Sequence, residues 1–488
     1  MSTSKPYHGE SADTYVDFAI VGAGISGLNF AYRVQSSCPS LSYTILESRD
    51  AIGGTWDLFK YPGIRSDSDL FTFGFSWYPW TDDCAIADAS SIKRYLARAT
   101  QSAGIDRHIR FRHKVLSASW KDEHAEWRLE VANEGATKCI RCRYFILGTG
   151  YYDYENPLSA DIPQLDHFKG TVVHPQFWPE DLDYANKKMV IIGSGATAVT
   201  LLPNLARNAS HVTMLQRSPS YVLSIANRPS PLLKRLLPRD LLFRFFRSIF
   251  MAVSFGLYQF CQKFPRLAKR MLRAITQRSL PSTIPHDPHF KPRYNPWDQR
   301  LCLAPDGDFF SALRSGKASV ATGNIKGFTD HRIVLDTGET LDDVDIVVTA
   351  TGLKLLFAGN IKIDVNGQPV DLSKKFVWRS CMLQDVPNSC FVIGYTNASW
   401  TPGADATAVL FCRLVRQMQA SGAAVARPSL DTPLKTVPLL NISSTYITRA
   451  ADDLPKTGNK GPWKPRVNYY MDYCVSRWGN LKNGLVFS

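Results

Sequence analysis

The sequence lacks several features that would place the protein in other classes. Its first eighteen residues contain no long apolar run, and its last residues, NGLVFS, do not form a peroxisomal tripeptide, so neither a secretory signal nor a peroxisomal address is expected. Its ten cysteines are scattered through 488 residues, which is not typical of the disulfide framework of a secreted protein. We therefore expect a cytoplasmic protein in a reducing compartment.

The sequence is also poor in acidic residues where its basic residues are densest. Of the net charge of +14, a surplus of +10 lies in residues 231–280, which contain eleven Lys and Arg and the single acid Asp240. This segment contains no known nucleic-acid module, so no nucleic-acid partner is expected. Its longest uncharged run, Ser248 to Gln262, has 15 residues, fewer than the roughly 20 that cross a bilayer.

Within this basic segment, charged residues alternate with Leu, Phe and Ile as they do in an amphipathic helix. We predict a basic helical insertion over residues 226–280. Two interpretations of its apolar face stay open. That face either packs on the neighbouring nucleotide-binding domain or makes a peripheral membrane contact through residues 231–280.

The sequence does contain two patterns of strand, glycine turn and helix. In the first, a short buried strand predicted at residues 17–21, DFAIV, leads into Gly22, Gly24 and Gly27, which have the spacing G-x-G-x-x-G. Glycines at these positions permit a tight turn and the approach of a pyrophosphate to the helix N-terminus. A second strand ends at Glu47, where an acid accepts hydrogen bonds from a ribose. This pattern predicts a dinucleotide-binding domain.

The second pattern, KKMVIIGSGATAV, places Gly193, Gly195 and Ala198 in the spacing G-x-G-x-x-A. Its next strand ends at Arg217 and Ser218, where an NAD-specific fold would have an acid. An arginine there accommodates a 2′-phosphate, so the second dinucleotide is predicted to be NADPH rather than NADH.

Between the two patterns, residues 168–179 read FKGTVVHPQFWP, which matches F-x-G-x-x-x-H-x-x-x-W-P at Phe168, Gly170, His174, Trp178 and Pro179. A second signature, G-x-W-x-x-x-x-Y-P-G-x-x-x-D, runs from Gly54 to Asp67. With these motifs the chain resembles the Baeyer–Villiger monooxygenases, in particular the ethionamide-activating type, over nearly its whole length. For His174 alone, a hydrogen-bonded hinge is favoured over an acid or base.

The resemblance implies FAD as the first cofactor and NADPH as the second, with no metal. At the FAD it implies contacts from Gly22, Gly24, Ser26, Gly27, Glu47, Thr55, Trp56, Asp57, Leu58 and Val115. At the NADPH it implies Arg65, Ser66, Gly193, Ser194, Gly195, Ala196, Thr197, Ala198, Val199, Arg217 and Ser218, and it adds Asp67, behind the catalytic arginine, to the cofactor-binding residues. The chain departs from many members at Gln299, where a lysine helps to hold the NADPH phosphate.

The same resemblance implies Arg300 and Asp67 as the catalytic pair. In the implied reaction, NADPH reduces FAD, dioxygen adds to it, and the resulting flavin peroxide attacks a ketone to give an ester or lactone. A guanidinium, which stays protonated, suits the stabilisation of the anions involved. The expected partners are dioxygen and a small apolar ketone or sulfide.

Three alternatives to ketone oxidation are compatible with parts of the sequence. The first is a heteroatom oxygenase acting on sulfides, thioamides or amines with the same cofactors. The second is a disulfide reductase using Cys139 and Cys142, which is disfavoured because residues three apart on a strand face opposite sides. The third, a non-catalytic flavin-binding scaffold, is disfavoured because Asp67 and Arg300 are both present.

The predicted architecture is an α/β fold with two Rossmann-like dinucleotide-binding domains, one for FAD and one for NADPH, and a helical insertion in the NADPH domain. The FAD domain takes residues 15–155 and 344–488, the second of which ends in a C-terminal lid. The NADPH domain takes residues 181–225 and 281–343, with the fingerprint linker at 156–180 and the insertion at 226–280. Residues 394–406 are predicted to form a loop on the substrate side.

Overall fold

The computed structural model describes residues 14–228, 238–440 and 442–488, so part of the predicted insertion, with Lys234 and Arg235, lies outside the described residues. Its helices are α1 (Ile25–Ser37), α2 (Thr55–Leu58), α3 (Leu70–Phe73), α4 (Ala89–Ser102), α5 (Ala196–Leu205), α6 (Arg239–Lys263), α7 (Pro265–Ser279), α8 (Asp308–Arg314), α9 (Trp400–Ser421), α10 (Thr445–Arg449) and α11 (Tyr469–Trp478).

The strands alternate with these helices along the chain. They are β1 (Thr14–Val21), β2 (Tyr43–Leu46), β3 (Ile109–Arg110), β4 (Lys114–Lys121), β5 (Glu126–Asn133), β6 (Ala136–Leu147), β7 (Thr171–Val173), β8 (Lys188–Ile192), β9 (His211–Gln216), β10 (Val222–Ile225), β11 (Cys302–Pro305), β12 (Ala318–Thr322), β13 (Ile325–Thr329), β14 (Arg332–Leu335), β15 (Thr340–Leu341), β16 (Ile346–Thr349), β17 (Lys362–Val365), β18 (Gln368–Pro369), β19 (Val377–Trp378), β20 (Met382–Leu383), β21 (Ser389–Phe391), β22 (Ala426–Pro428), β23 (Thr436–Pro438), β24 (Lys456–Gly458) and β25 (Leu485–Phe487).

The first large sheet has the order β18-β17-β4-β5-β6-β1-β2-β3, and β21 also pairs with β6. Strand β1 runs parallel to both β2 and β6, whereas β4, β5 and β6 pair antiparallel. Apolar cores cover both faces of β1, which explains why its sequence reads as a continuous apolar run. The parallel arrangement brings the ends of β1, β2 and β6, and with them the first glycine turn, to one edge of the sheet.

The second large sheet is entirely parallel, with the order β12-β9-β8-β16-β7. Strand β16 pairs with β8 in this sheet, so the boundary predicted at residue 344 lies before a strand of the second domain. The linker likewise contributes β7 to the edge of the same sheet. An apolar run such as DIVVTATG predicts a buried strand, but it does not indicate which of two sheets the strand joins.

The fingerprint residues anchor this edge of the second sheet from both sides. Phe168 belongs to the core on one face and Trp178 to the core on the other. A Cβ at Gly170 would lie 2.3 Å from the carbonyl oxygen of Asp345, so only glycine fits. The Nδ1 of His174 accepts a hydrogen bond from the Gln176 amide at 3.2 Å, while Pro179 is exposed. The motif therefore holds in place the segment through which the chain enters the second domain.

The inner face of the insertion packs on both domains. As one interpretation of its sequence proposed, it packs on the NADPH domain, where Leu272 of α7 clusters with Tyr221 and Leu301. It also packs on the first domain. Phe243 and Phe246 of α6 are buried, and Phe250 stacks on Phe71 of α3 with ring centroids 5.6 Å apart. Arg247 donates from Nη1 to the carbonyl oxygens of residues 71, 72 and 74 at 2.7, 3.1 and 2.9 Å. These carbonyls end α3, where a cation is favoured.

Helix α6 is longer than its uncharged run of 15 residues suggested. From Leu241 to Lys263 it has 23 residues and is apolar enough, by length and composition alone, to cross a membrane. Arg244 and Arg247 precede the uncharged run but lie inside the helix, because arginine is a good helix former.

Gly27 of the first turn is tightly packed, whereas Gly195 of the second turn is not. Adding a methyl group at these two positions should therefore affect the stability of the protein differently. A Cβ at Gly27 would lie 1.9 Å from the carbonyl oxygen of Gly22, whereas one at Gly195 would meet nothing within 4 Å. Gly27→Ala should therefore destabilise the apoprotein by at least ~1–3 kcal/mol, the usual cost of overpacking, and Gly195→Ala should leave its Tm unchanged. Thermal unfolding of both apoproteins tests this, and equal Tm values would contradict the packing role of Gly27.

Candidate active site

The first glycine turn leaves a gap at the N-terminus of α1. Gly22 has a φ of +98°, and a Cβ there would lie 2.8 Å from the carbonyl oxygen of Gly148. Gly24 precedes α1, and its Cβ would meet only Gly54, at 3.7 Å. The turn is thus closed by backbone on one side and open on the side of Gly24.

Glu47 lies beside this turn at the end of β2, as the sequence predicts. It is buried, and its Oε2 accepts a hydrogen bond from the Ala23 amide at 2.7 Å. Ser26, on the first turn of α1, accepts a hydrogen bond at 2.8 Å from Nε1 of Trp400. Both polar side chains are therefore held in place at the predicted FAD pyrophosphate and ribose positions.

The short helix α2 carries the next predicted flavin residues. Asp57 forms ion pairs with Arg49 and Lys93. Burial raises the pKa of Asp57, but the hydrogen bond from Lys93 and the two positive charges outweigh burial, so its pKa is lowered. On α2 Asp57 is buried and Leu58 is half-buried, and Val115 is buried in the core beside β5.

A cavity of about 250 Å³ brings together residues from every motif of the sequence. It is lined by the first turn, the second signature, the second turn and the predicted catalytic arginine, represented by Gly24, Ser26, Thr55, Trp56, Arg65, Ser66, Asp67, Ala196, Thr197 and Arg300. Pro175, a residue inside the fingerprint motif, also lines this cavity. This cofactor cavity lies between the two domains.

A second cavity, of about 220 Å³, meets the first at Asp67 and Arg300. Its walls are mostly apolar and come from α6, the turn before β11 and residues 397–399, with Phe250, Met251, Phe255, Leu257 and Leu301 among them. Residues 397–399 line this second cavity, which we call the substrate cavity after the role expected from the sequence. The predicted loop 394–406 is too long, because α9 begins at Trp400. Pro402 in its first turn is compatible with a helix start.

Arg300 and Asp67 form the ion pair that the sequence predicts. Nη2 of Arg300 lies 3.3 Å from Oδ1 of Asp67 and 3.3 Å from Oγ of Ser68. Burial alone would lower the pKa of Arg300, but the charge of Asp67 and the neighbouring tyrosines outweigh burial and raise the pKa. The guanidinium therefore stays protonated at the point where the two cavities meet.

The sequence reasoning missed an aromatic group around this arginine. The hydroxyls of Tyr151 and Tyr152 are 3.1 Å apart, and Trp400 stacks on Tyr151 at 5.0 Å. Tyr446, on α10, is close enough for the charge of Arg300 to act on it, although burial dominates and raises the pKa of Tyr446. The run YYDY directly after Gly150 was a usable signal for the first two, whereas Trp400 and Tyr446 are distant in sequence.

Arg65 and Ser66, predicted to contact NADPH, line the cofactor cavity but already have protein partners. Arg65 forms an ion pair with Asp308 at the start of α8, and so links the two domains. The Ser66 hydroxyl donates to the carbonyl oxygen of Ser68 at 2.7 Å.

The second glycine turn offers an exposed helix N-terminus. Gly193 has a φ of +141°, and a Cβ there would lie 2.2 Å from the carbonyl oxygen of Ala350. Gly195 and Ala196, at the start of α5, are exposed, whereas Ala198 and Val199 are buried behind them. Ser194 donates to the carbonyl oxygen of Ser218 at 2.8 Å, and so closes the turn onto the end of β9.

Arg217 also lies at the end of β9, and its side chain is exposed. Nη2 of Arg217 is 3.4 Å from Oγ1 of Thr445, a long contact that leaves the guanidinium able to bind an anion. Gln299 lies in a turn next to Pro296 and is not among the residues lining either cavity.

The two cysteines of the reductase alternative do not form a redox site. Cys142 is buried in the core beneath β6, and burial raises the pKa of its thiol, whereas a reactive cysteine has a lowered pKa. Cys139, half-buried, stands on the same strand facing the other side, and neither cysteine lines the cofactor cavity.

Replacing both cysteines, Cys139→Ser with Cys142→Ser, should leave NADPH oxidation and product yield per folded, flavin-loaded enzyme unchanged. The buried Cys142→Ser change should lower the Tm, because it places a hydroxyl in an apolar core. Steady-state turnover normalised to bound flavin measures the effect. Loss of all turnover with full flavin loading would revive the reductase alternative.

Comparison with known proteins agrees with this geometry. Residues 16–377 match the model of the family described as flavin-binding monooxygenase-like. The chain belongs to this family. This monooxygenase is 46% identical over 471 residues to the FAD-containing monooxygenase EthA of Mycolicibacterium smegmatis, with 96% of each chain covered.

Solved structures show the same fold at lower identity. OTEMO in complex with FAD and NADP superposes with a TM-score of 0.76 at 17% identity, over 98% of this chain and 100% of that one. Cyclohexanone monooxygenase from Rhodococcus sp. Phi1 bound to NADP⁺ gives a TM-score of 0.72 at 19% identity, over 98% and 100%. These structures confirm the predicted two-domain α/β fold, and the family match and the relative confirm the predicted resemblance to EthA-type flavin monooxygenases. FAD and NADP, the predicted cofactors, are both bound in OTEMO.

The residues of this monooxygenase fit both cofactors. Gly24 and Gly54 leave a gap in which a pyrophosphate would approach the N-terminus of α1, and a methyl group on either residue would narrow that gap. Gly195 has open surroundings, which leave space for a second pyrophosphate at the N-terminus of α5. Glu47 would hold the FAD ribose, and Arg217 would hold the 2′-phosphate of NADPH.

Arg217→Ala should raise the KM for NADPH and barely change the KM for NADH. Loss of a charge-assisted contact costs roughly 1.5 to 3 kcal/mol, or about 10- to 150-fold in binding. Initial rates with both reductants measure the change, with Arg207→Ala, another exposed arginine of the same domain, as the matched control. Equal weakening of both reductants would remove Arg217 from phosphate binding.

Proposed function

We propose that this monooxygenase oxidises a small apolar ketone to an ester or lactone, with NADPH as the reductant and dioxygen as the oxygen donor. The observation that carries the proposal is the position of Arg300. Its guanidinium lies on the wall shared by the cofactor cavity and the apolar substrate cavity, 3.3 Å from the Asp67 carboxylate.

Bound FAD, once reduced by NADPH, supplies the activation of dioxygen. The chain supplies a fixed positive charge for the rest of the chemistry. Attack of an oxygen nucleophile on a carbonyl places an oxyanion on the substrate, and a preorganised donor that cannot lose its proton stabilises that charge. Arg300 is such a donor because its pKa is raised by Asp67.

Asp67 and Ser68 orient this donor. Both accept from Nη2 of Arg300, a residue that also lines both cavities. The aromatic residues Tyr151, Tyr152 and Trp400 border the cofactor cavity close to the pair and reduce the access of water. Exclusion of water strengthens the interaction between the guanidinium and a developing anion.

The substrate cavity supports an apolar substrate of small size. Phe250, Met251, Phe255, Leu257 and Leu301 form much of its wall. Apart from Arg300, its charged lining groups among the described residues are the carboxylates of Asp67 and Asp69. Asp69 caps α3 by accepting from the Thr72 amide at 2.7 Å, and burial raises its pKa to about 6.

Heteroatom oxidation is the second candidate function, and the same cavity favours it as an alternative. An apolar cavity of about 220 Å³ admits a sulfide or thioamide as readily as a ketone. The two chemistries differ in their need for Arg300. Transfer of oxygen to a sulfur lone pair places no oxyanion on a carbonyl, so it depends less on the guanidinium.

Arg300→Ala should bind FAD and NADPH yet form no detectable ester or lactone. Oxyanion-type donors in enclosed sites contribute roughly 2.7 to 4 kcal/mol, so the rate of ketone oxidation should fall on the order of 100- to 1000-fold or more. Flavin reduction is also expected to slow. Asp67→Ala should be milder, because the guanidinium remains but is poorly oriented, with part of the dioxygen consumed being released as hydrogen peroxide.

Stopped-flow spectroscopy of flavin reduction and reoxidation, combined with product yield on a ketone and a sulfide panel, measures both variants. Arg300→Lys serves as the control that keeps the charge but not the geometry. Ketone oxidation at the wild-type rate by Arg300→Ala would remove this residue from the mechanism. Sulfide products with no ester or lactone from any ketone in the wild type would replace the first function by the second.

A further inference from the structure

Helix α6 has a second apolar face that no part of the described chain covers. Leu241, Phe245, Ile249 and Val253 recur every four residues and are 52%, 40%, 40% and 60% exposed. The opposite face of the same helix packs on the first domain and lines the substrate cavity. A surface helix normally has a polar outer face, and a helix that is apolar on both faces is buried in protein or in lipid.

The exposed apolar surface continues onto α7. Phe264, between the two helices, is 57% exposed, and Leu267 of α7 is 54% exposed. Contiguous apolar surface on a soluble protein marks an interaction site. We call the outer surfaces of α6 and α7 the docking face.

Positive charge borders this docking face. Helix α7 carries Arg266, Lys269, Arg270, Arg273 and Arg278 and no acidic residue. Arg273 pairs with Asp287, but within the part of the chain that the structure describes, Arg266, Lys269 and Arg270 have no ion pair. Arg266 and Arg270 each directly precede an outward-facing apolar residue, Leu267 and Met271. Apolar residues bordered by unpaired cations are complementary to an anionic lipid surface.

We propose that α6 and α7 dock this enzyme on the surface of an anionic lipid bilayer. The helices lie in the interface rather than across the membrane, because Arg247 ties the inner face of α6 to three carbonyl oxygens of the first domain. Only the outer face is then available to lipid. Val253 is both exposed on this face and part of the substrate cavity lining, so docking places one wall of that cavity against the bilayer.

Co-sedimentation of the full-length, FAD-loaded enzyme with lipid vesicles tests the proposal. Vesicles of phosphatidylcholine alone are compared with vesicles that also contain phosphatidylglycerol, each at low and high salt. The enzyme is expected to sediment with the anionic vesicles at low salt and to be released at high salt, because salt screens the attraction. No binding to anionic vesicles at low salt would overturn the proposal.

Two variants separate the contributions of charge and apolar surface. Arg266→Glu with Lys269→Glu and Arg270→Glu should weaken binding at least about 100-fold, since each basic residue near a membrane contributes roughly fivefold. The matched control, Lys187→Glu with Lys317→Glu and Lys326→Glu, changes the net charge equally at exposed positions of the second domain and should retain most of the binding. Equal loss in both variants would reduce the effect to net charge and contradict a docking face.

Phe245→Ser with Ile249→Ser removes apolar surface without changing charge, and it should weaken binding to anionic vesicles. Flavin content and the rate of NADPH oxidation, both expected to be unchanged, show that each variant is folded. Analytical ultracentrifugation of the same proteins tests a second copy as the occupant. A dimer that this variant dissociates, with vesicle binding unaltered, would identify the face as a contact between copies and overturn the proposal.

Discussion

Three arginine side chains connect the two domains and the insertion through one short segment, residues 65–74. Arg65 reaches from this segment to Asp308 of the second domain, and Arg300 of the second domain reaches back to Asp67. Arg247 of the insertion binds the carbonyl oxygens at the end of the segment. Because a buried guanidinium without partners is costly, each contact restrains the relative positions of the parts it joins. Both cavities share Asp67 of this segment, so their geometry depends on these contacts.

The sequence was sufficient to predict the features that depend on residues close together in the chain. Glycine turns are readable because a Cβ at Gly22, Gly27 or Gly193 would collide with backbone, and Glu47 and Arg217 follow at fixed distances along the chain. The Arg300–Asp67 pair joins residues 233 positions apart and was reached only through the family resemblance. Trp400 and Tyr446 match no motif, so their approach to Tyr151 and Arg300 required the tertiary structure.

Errors in the predicted boundaries have a common physical origin. Composition distinguishes a buried strand from a loop, but it does not select the sheet that the strand joins, as for β16. The turn-rich sequence before Pro402 hid the start of α9, since proline and glycine are typical both of loops and of first helical turns. For α6, the uncharged run of 15 residues, judged too short to cross a bilayer, is shorter than the apolar stretch of 23 residues in the helix, because arginines that bind carbonyl groups remain compatible with helical structure.

The choice between ketone and sulfur chemistry depends on one cation more than on the shape of the cavity. An apolar lining holds either substrate and discriminates weakly, because a methylene more or less changes binding by only about 1–3 kcal/mol. A fixed guanidinium acts differently, since it stabilises charge that develops on a carbonyl oxygen and has no equivalent target on a sulfide. Asp67 and Ser68 each lie 3.3 Å from Nη2 of Arg300, so they place such a cation beside both cavities, which supports the proposal of carbonyl chemistry.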